Sequence, residues 1–489
     1  MKKISTAKVI LIGCGPHARR IYIPAISTIE HIELALVIEL EGQESNVKKS
    51  LSNHKESKTL FIKPFKRNLP KKLQQKLAKF ISENEISGVI IATEPLVHKA
   101  YCIWALKNKL NILIDKPITA RAESTSKLSS AKGILEDYTE ILNNYNDLQL
   151  NKETIVMVNS QRRFHEGFLF VQEKITEVAK QTNCPVTFIQ ASHSDGQWRL
   201  PSEIVSQKYH PYNCGYGKAS HSGYHIFDSI YQFYEAAKTE HKSANSMEIV
   251  SSFIQPNGFF NQLTNDDYQV IFGKQYNQVN KWTDEELKII CKDYGEIDIS
   301  SIITLKKDNV AVANFSVNLL HNSFAGRTSL FPGEDLYKGN GRIKHEHYNI
   351  QQGPFQNIQI HSYQASDNHD LKEGLENHLG GKNHFDVYIF RNPLVAGKLE
   401  QPSVYKFKDF SNKTELALDS MLSMELVKYK VVEEFADYMV GRKKKIDIKS
   451  QIDDHIVPMQ IMSGIYSYNL KRKKNKSNVV ELSYGKLKN

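Results

Sequence analysis

Apolar residues along this chain follow two different rhythms. In the first third they form short unbroken runs at residues 8–12, 33–38, 87–93 and 111–114, the pattern of strands buried on both faces of a parallel sheet. Helical stretches lie between them, most plainly at 98–109, and one more strand is predicted at 154–159. From residue 246 onward the runs are β-rich or alternating, at 248–253, 268–272, 302–305, 310–319, 357–363 and 385–390. That spacing predicts one mostly antiparallel sheet with helices on one face. Near the end, Val427, Val431, Phe435 and Met439 repeat at helical spacing within 424–441, and 453–468 reads as a second helix. The expected fold class is therefore α/β plus α+β, with a parallel-sheet domain over 1–150, a larger domain over 151–470 and a basic tail over 471–489. A chain of 489 residues exceeds what one core supports, which agrees with at least two domains.

The first run ends in Gly13-Cys14-Gly15-Pro16-His17-Ala18, a G-x-G-x-x-A turn opening a helical stretch. Gly13 permits the tight turn, Gly15 lets backbone approach a pyrophosphate, and Ala18 lets the helix pack on the strand, with phosphate at the helix N-terminus. Pro16 and His17 complete the candidate cofactor turn. The second run ends in Glu39, placed to accept hydrogen bonds from the adenosine ribose hydroxyls. Strand, glycine turn, helix, strand and acid together form the Rossmann dinucleotide fingerprint. Glu39 would repel a 2'-phosphate and Leu40 offers no compensating cation, so NAD is favoured over NADP.

The run at 111–114 delivers Asp115-Lys116-Pro117 at its carboxyl end, the edge where open α/β sheets bind ligands. A lysine there, half-buried beside a positive nicotinamide, would have its pKa drawn toward ~7 to 8 and could polarise or deprotonate a substrate oxygen. From strand position alone, a solvated lysine is an equal reading. Composition narrows the function classes. No apolar run approaches the roughly 20 residues of a membrane span. The five cysteines are scattered without CxxC spacing, which argues against a zinc module or disulfide framework and for a cytoplasmic setting. The net charge of +10 sits largely in lysine runs such as 443–445 and 471–474, read as solvated faces, and no nucleic-acid-binding signature accompanies it.

Taken together, the glycine fingerprint, Ala92-Thr93-Glu94-Pro95 with His98, and Asp115-Lys116-Pro117 resemble the glucose-fructose oxidoreductase, inositol dehydrogenase and MocA family (Gfo/Idh/MocA). The resemblance implies that Lys116 is the catalytic lysine, that Thr93, Pro95 and His98 belong to the cofactor loop, and that Pro117 sits near the nicotinamide. Gln161-Arg162-Arg163-Phe164 resembles the segment that opens the family's second domain. Arg163 would then touch substrate or cofactor, or else pair with an acidic group. In Gly215-Tyr216-Gly217-Lys218-Ala219-Ser220-His221-Ser222-Gly223-Tyr224-His225, His225 aligns with the family's catalytic histidine, while His221 replaces the expected aspartate. The substitution changes both charge and donor pattern. Four residues apart on a helix, the two histidines face one side, but no third ligand suggests a metal.

Trp198 and Tyr212, just before this signature, are placed to line a substrate pocket. Relatives are usually shorter, so an insertion is expected at about 320–415, carrying the alternating His345-Glu346-His347, with His361 and His369; a polar surface strand is the favoured reading there. The resemblance also implies a homo-oligomer formed through the large sheet. The expected activity is hydride transfer between a nicotinamide and a carbinol or carbonyl carbon of a sugar, polyol or sugar-like molecule. Reduction of an imine or conjugated bond, and a catalytically silent NAD-binding regulator, are the alternatives.

Overall fold

The computed structural model describes residues 6–54, 56–65, 67–195, 200–208, 210–239, 241–321, 323–324, 336, 344–364, 384–397, 402–410, 423–473 and 480–485. The chain divides into two compact units. The first comprises Met1–Arg121, Ile134–Phe164 and Met424–Ile456, and the second the remainder.

The first unit is built on a parallel sheet of β1 (Ala7–Ile12), β2 (Ile32–Leu40), β3 (Lys58–Ile62), β4 (Ile86–Ile91), β5 (Asn111–Ile114) and β6 (Val156–Val158), in the order β3-β2-β1-β4-β5-β6. The unbroken apolar runs are buried as their lack of alternation predicts. The core joins Val9, Leu11, Ile90, Leu113 and Met157 from the strands to Val427, Val431, Val432, Phe435 and Ala436 from the helix Ser423–Met439. Gly88 in β4 makes this packing close, since a Cβ there would stand 2.7 Å from the Met439 sulfur and 3.0 Å from the Phe435 ring. The helix read at 424–441 is therefore a core element of the parallel-sheet unit, and a boundary at residue 150 leaves it out.

The second unit holds a sheet of β7 (Phe188–Ser194), β8 (Ser246–Ile254), β9 (Asp298–Lys307), β10 (Val310–Leu320), β11 (Lys344–Gln352), β12 (Gln356–Gln364), β13 (Phe385–Arg391), β14 (Ser403–Tyr405) and β15 (Val480–Ser483). Its order is β14-β13-β12-β11-β7-β10-β9-β8-β15, antiparallel except where β7 meets β10. The helices Glu166–Thr182 and Tyr224–Glu235 cover one face, with Phe168 stacked on Phe233 and both against Tyr348. The opposite face is polar and self-bonded: Ser300 donates to Asn318 and Thr304 to Asn314, each at 2.8 Å.

Two expectations, a strand at 268–272 and a featureless basic tail, are corrected here. Residues 268–272 are not a strand but the end of the helix Asn265–Phe272, because Thr264 and Asp267 form a reciprocal capping box at its start. The stretch expected as an insertion at 320–415 carries β11, β12 and β13, and β11 pairs directly with β7. The basic tail contributes β15, which pairs antiparallel with β8.

A buried acid clamps the turn that precedes His221. Gly217 crosses Glu296 so closely that a Cβ would stand 2.1 Å from the Glu296 carbonyl oxygen. The Glu296 carboxyl accepts from the Ala219 amide at 2.7 Å and from the Tyr466 hydroxyl at 2.9 Å. Burial pushes its pKa up from 4.5 to about 7.

Two outcomes test this description. Phe435→Ala should destabilise the first unit by about 3–5 kcal/mol, read by urea denaturation, because it empties a core site. For Glu296, the folded carboxyl keeps its proton to higher pH than the unfolded one. The unfolded state then binds fewer protons, and stability falls as pH rises from 4.5 to about 7 and is level above that. Glu296→Gln should remove that fall, so that denaturation curves of wild type and variant diverge across the window by up to about 3 kcal/mol. Parallel curves would mean that the acid is ionised in the fold.

Candidate functional site

Strand register assembles the first unit's site. Ile38, Ile12, Ile91, Ile114 and Val158 lie side by side across β2, β1, β4, β5 and β6. The residues that follow them form the carboxyl edge: Glu39, Gly13, Ala92, Asp115 and Asn159. Backbone bonds stitch this edge together, with Gly13 N–H donating to Ile38 O at 2.9 Å, Ala92 N–H to Ile12 O at 2.8 Å and Asp115 N–H to Ile91 O at 2.9 Å.

Gly13 adopts φ +91°, and a Cβ there would lie 2.6 Å from the Ala92 carbonyl oxygen, so both its dihedral and its surroundings demand glycine. Gly15 differs, since a Cβ would meet nothing within 4 Å. The space beside Gly15 is open, as close approach of a pyrophosphate requires, and the helix Pro16–Arg20 begins next to it with Ala18 buried inward. Glu39 stands at the same turn, accepting from the Cys14 amide at 2.6 Å and the Leu40 amide at 2.7 Å. Open glycine backbone, a helix start and a carboxylate at the end of β2 fit a nicotinamide adenine dinucleotide.

The loops carrying Thr93 and Lys116 are tied to each other. The buried His98 ring sets Nε2 2.9 Å from Thr93 O and Nδ1 3.0 Å from Pro117 O, and burial lowers its pKa. Pro95 is buried in the short turn Pro95–Val97 just before it. Asp115 receives hydrogen bonds from the Tyr22 hydroxyl and, at 3.1 Å, from Asn159 Nδ2, which also donates to the Tyr22 oxygen at 2.6 Å. His17 Nε2 lies 3.8 Å from Asp115, yet burial outweighs this attraction and pushes its pKa down to about 4. The half-buried Lys116 follows directly. Tyr22 and Asn159 were missed from sequence, although the register row shows why Asn159 stands beside Asp115. Arg163 is buried, with its guanidinium donating to Lys449 O at 3.2 Å and Asp454 O at 3.1 Å and paired with the Asp454 carboxylate at 3.4 Å. It ties the returning C-terminal segment to the first unit.

Tyr212, His221 and His225 belong to the second unit and are all buried. A π-helical turn, Ala219–Gly223, carries His221 and leads into the helix Tyr224–Glu235 that carries His225. The His221 ring lies among His210, Tyr212 and Tyr216, at centroid separations of 4.8, 5.3 and 5.6 Å. Trp198 and His369 lie outside the described residues. His345 and His347 share one face of β11 with His361 of β12, with ring centroids 5.6 and 4.5 Å from that of His361. Among the described residues, no group of three or more His, Cys, Asp or Glu side chains is arranged to hold a metal ion, and no helix is long and apolar enough to cross a membrane.

Comparison with known proteins adds to this geometry. Residues 7–132 match the family model described as "Oxidoreductase family, NAD-binding Rossmann fold" (GFO_IDH_MocA). None of the curated proteins compared with the chain matches it. Solved structures share its fold at low identity. An oxidoreductase from Agrobacterium radiobacter, in complex with NAD+, L-tartaric acid and magnesium, aligns at 11% identity over 98% of this chain and 99% of its own, with a TM-score of 0.56. An aldose-aldose oxidoreductase from Caulobacter crescentus, complexed with glycerol, aligns at 10% identity over 98% and 100%, with a TM-score of 0.55. A 3-ketoreductase from Actinomadura kijaniata, in complex with NADP and TDP-benzene, aligns at 9% identity over 94% and 97%, with a TM-score of 0.51. Of the carboxyl-edge residues, Gly13, Glu39, Ala92 and Asp115 fall within 7–132, the stretch that matches the NAD-binding Rossmann model of the Gfo/Idh/MocA oxidoreductase family.

Proposed function

We propose that this protein transfers hydride between NAD and a carbinol or carbonyl carbon of a sugar, polyol or sugar-like molecule. The observation that carries the reading is the carboxyl edge of the first sheet, where the glycine turn, Glu39, the Thr93–His98 loop and Lys116 follow one register row. Similar structures bear sugar-type and keto substrates in their names, which supports this substrate class.

The nicotinamide, when bound, supplies the hydride acceptor or donor. The chain's own residues do the rest. The turn Gly13–Ala18 would hold the pyrophosphate, with the open Gly15 backbone and the helix start at Pro16 and His17 facing it while Gly13 and Ala18 set the turn and its packing, and Glu39 would read the ribose hydroxyls and favour NAD over NADP. Thr93, Pro95, His98 and Pro117 shape the nicotinamide side. Lys116 polarises the substrate oxygen, steadied by the bonds that hold Asp115, and His225 takes or returns the proton. His221 and Tyr212 orient the substrate.

The first experiment is binding of NADH and NADPH by fluorescence, followed by turnover against polyols, sugars, nucleotide sugars and imines. Tight NADH binding is expected, with oxidation of an alcohol when NAD+ is supplied or reduction of a ketone when NADH is supplied. Turnover of imines alone would shift the bond class, NADH binding without any turnover would mark a silent regulator, and no binding would sink the reading. Lys116→Ala should keep NADH affinity and lower kcat by ~10² to 10⁴, the usual cost of a positioned acid or base. An unchanged kcat would remove Lys116 from the chemistry.

A further inference from the structure

Behind the turn that carries His221, the second unit buries five polar side chains contributed by distant parts of the chain. Lys218 is 0% exposed, and its Nζ donates to Asp195 Oδ2 at 2.6 Å and to His193 Nδ1 at 3.1 Å. His193 and Asp195 come from the carboxyl end of β7. The parallel pairing of β7 with β10 brings the end of β10 alongside, and Asp195 N–H donates to Leu320 O at 3.1 Å. His321 follows at once, its amide held by Asp298 at 2.7 Å and its Nε2 3.6 Å from Asp195 Oδ2. The other ring nitrogen of His321, Nδ1, is hydrogen-bonded to the Tyr212 hydroxyl. The Tyr212 ring then meets the His221 ring edge to face at 5.3 Å. The path from Lys218 through Asp195, His321 and Tyr212 thus closes on a residue three positions further along the same turn.

Charge states within the loop follow from burial and pairing. Burial alone would push the Asp195 carboxyl up, but the Lys218 ammonium beside it overrides burial and holds Asp195 well below the usual carboxylate range. His193 is pushed down to about 3 by burial and by Lys218. It is therefore neutral, and because Lys218 donates to Nδ1 its own proton sits on Nε2. A buried ion pair is weak evidence for stability, because desolvation offsets most of its attraction. What it supplies is direction, since the carboxylate has one oxygen on Lys218 and the same oxygen facing His321.

We propose that Lys218, Asp195 and His321 are positioning residues for His221, fixing the Tyr212 phenol and through it the plane of the His221 imidazole presented to substrate. Two histidines and one tyrosine are thereby oriented by a single buried ion pair. The proposal rests on the oxidoreductase reading only in placing His221 at the substrate.

The test uses the full chain with isotope-labelled histidine, and the His221 imidazole resonance is assigned by its loss in His221→Asn. Tyr212→Phe removes one oxygen and keeps the ring, while Asp195→Asn/Lys218→Met removes both charges together, so neither variant leaves an unpaired buried charge. Both should shift the His221 and His321 resonances while NADH affinity, read on the first unit, remains at its wild-type value. With any substrate the panel identifies, KM should rise about tenfold, the worth of one well-made hydrogen bond. In the folded variants, a His221 resonance that stays in place while that of His321 moves would overturn the proposal and leave the cluster a purely structural one. Failure of both variants to fold would also count against a positioning role. The resonance readout needs no turnover, so its failure is distinct from failure of the oxidoreductase reading, which would show as a wild-type protein that turns over nothing.

Discussion

Everything in the first unit depends on the in-register pairing of parallel strands. Because Ile38, Ile12, Ile91, Ile114 and Val158 line up across the sheet, the five residues after them arrive at one edge with no choice in the matter. Parallel strands run the same way, so every chemical group placed just after a strand lands on the same side. The Gly13–Ala92 contact shows how tight this edge is, and it explains why only hydrogen fits at Gly13 while Gly15 faces open space. Asp115, Tyr22 and Asn159 then hold the loop that carries Lys116, so the lysine's position is set by polar bonds beneath it.

The second unit faces the opposite difficulty, that of placing polar groups where water is excluded. It solves this in two ways at the start of a single turn. Glu296 has its pKa raised to about 7 by burial, and one of its carboxyl oxygens accepts from both Ala219 and Tyr466. Lys218 and Asp195 are instead kept charged by each other. Neutralising and pairing are the two routes open to a buried ionisable group. Here they act on adjacent residues, Lys218 and Ala219, at the start of a π-helical turn, a geometry found often at functional sites.

Local patterns in the sequence revealed much of this, and for a physical reason. Strands buried on both faces must be continuously apolar, and a phosphate-binding turn must carry glycine at set positions, so both leave marks within a few residues. The helix at 265–272 was hidden because its signal is a capping box and not a period, and Tyr268, Val270 and Phe272 read like strand alternation. β7 was hidden because its carboxyl half, Ser192-His193-Ser194, is polar, although it lies at the centre of the sheet. Glu346 is buried in β11 where the string suggests a solvated acid. Contacts such as Asn159 with Tyr22, 137 residues apart, or Tyr212 with His321, 109 apart, leave no local mark at all.

The first unit's core takes Val431 and Phe435 from a segment that the ribosome makes long after Phe164. At synthesis rates of 5–20 residues per second, roughly 15–60 s separate the last parallel strand from the helix that covers it. During that interval the apolar face around Gly88 has no lid, while most of the second unit emerges. The cofactor domain, although encoded first, is thus among the last parts of the chain able to finish folding.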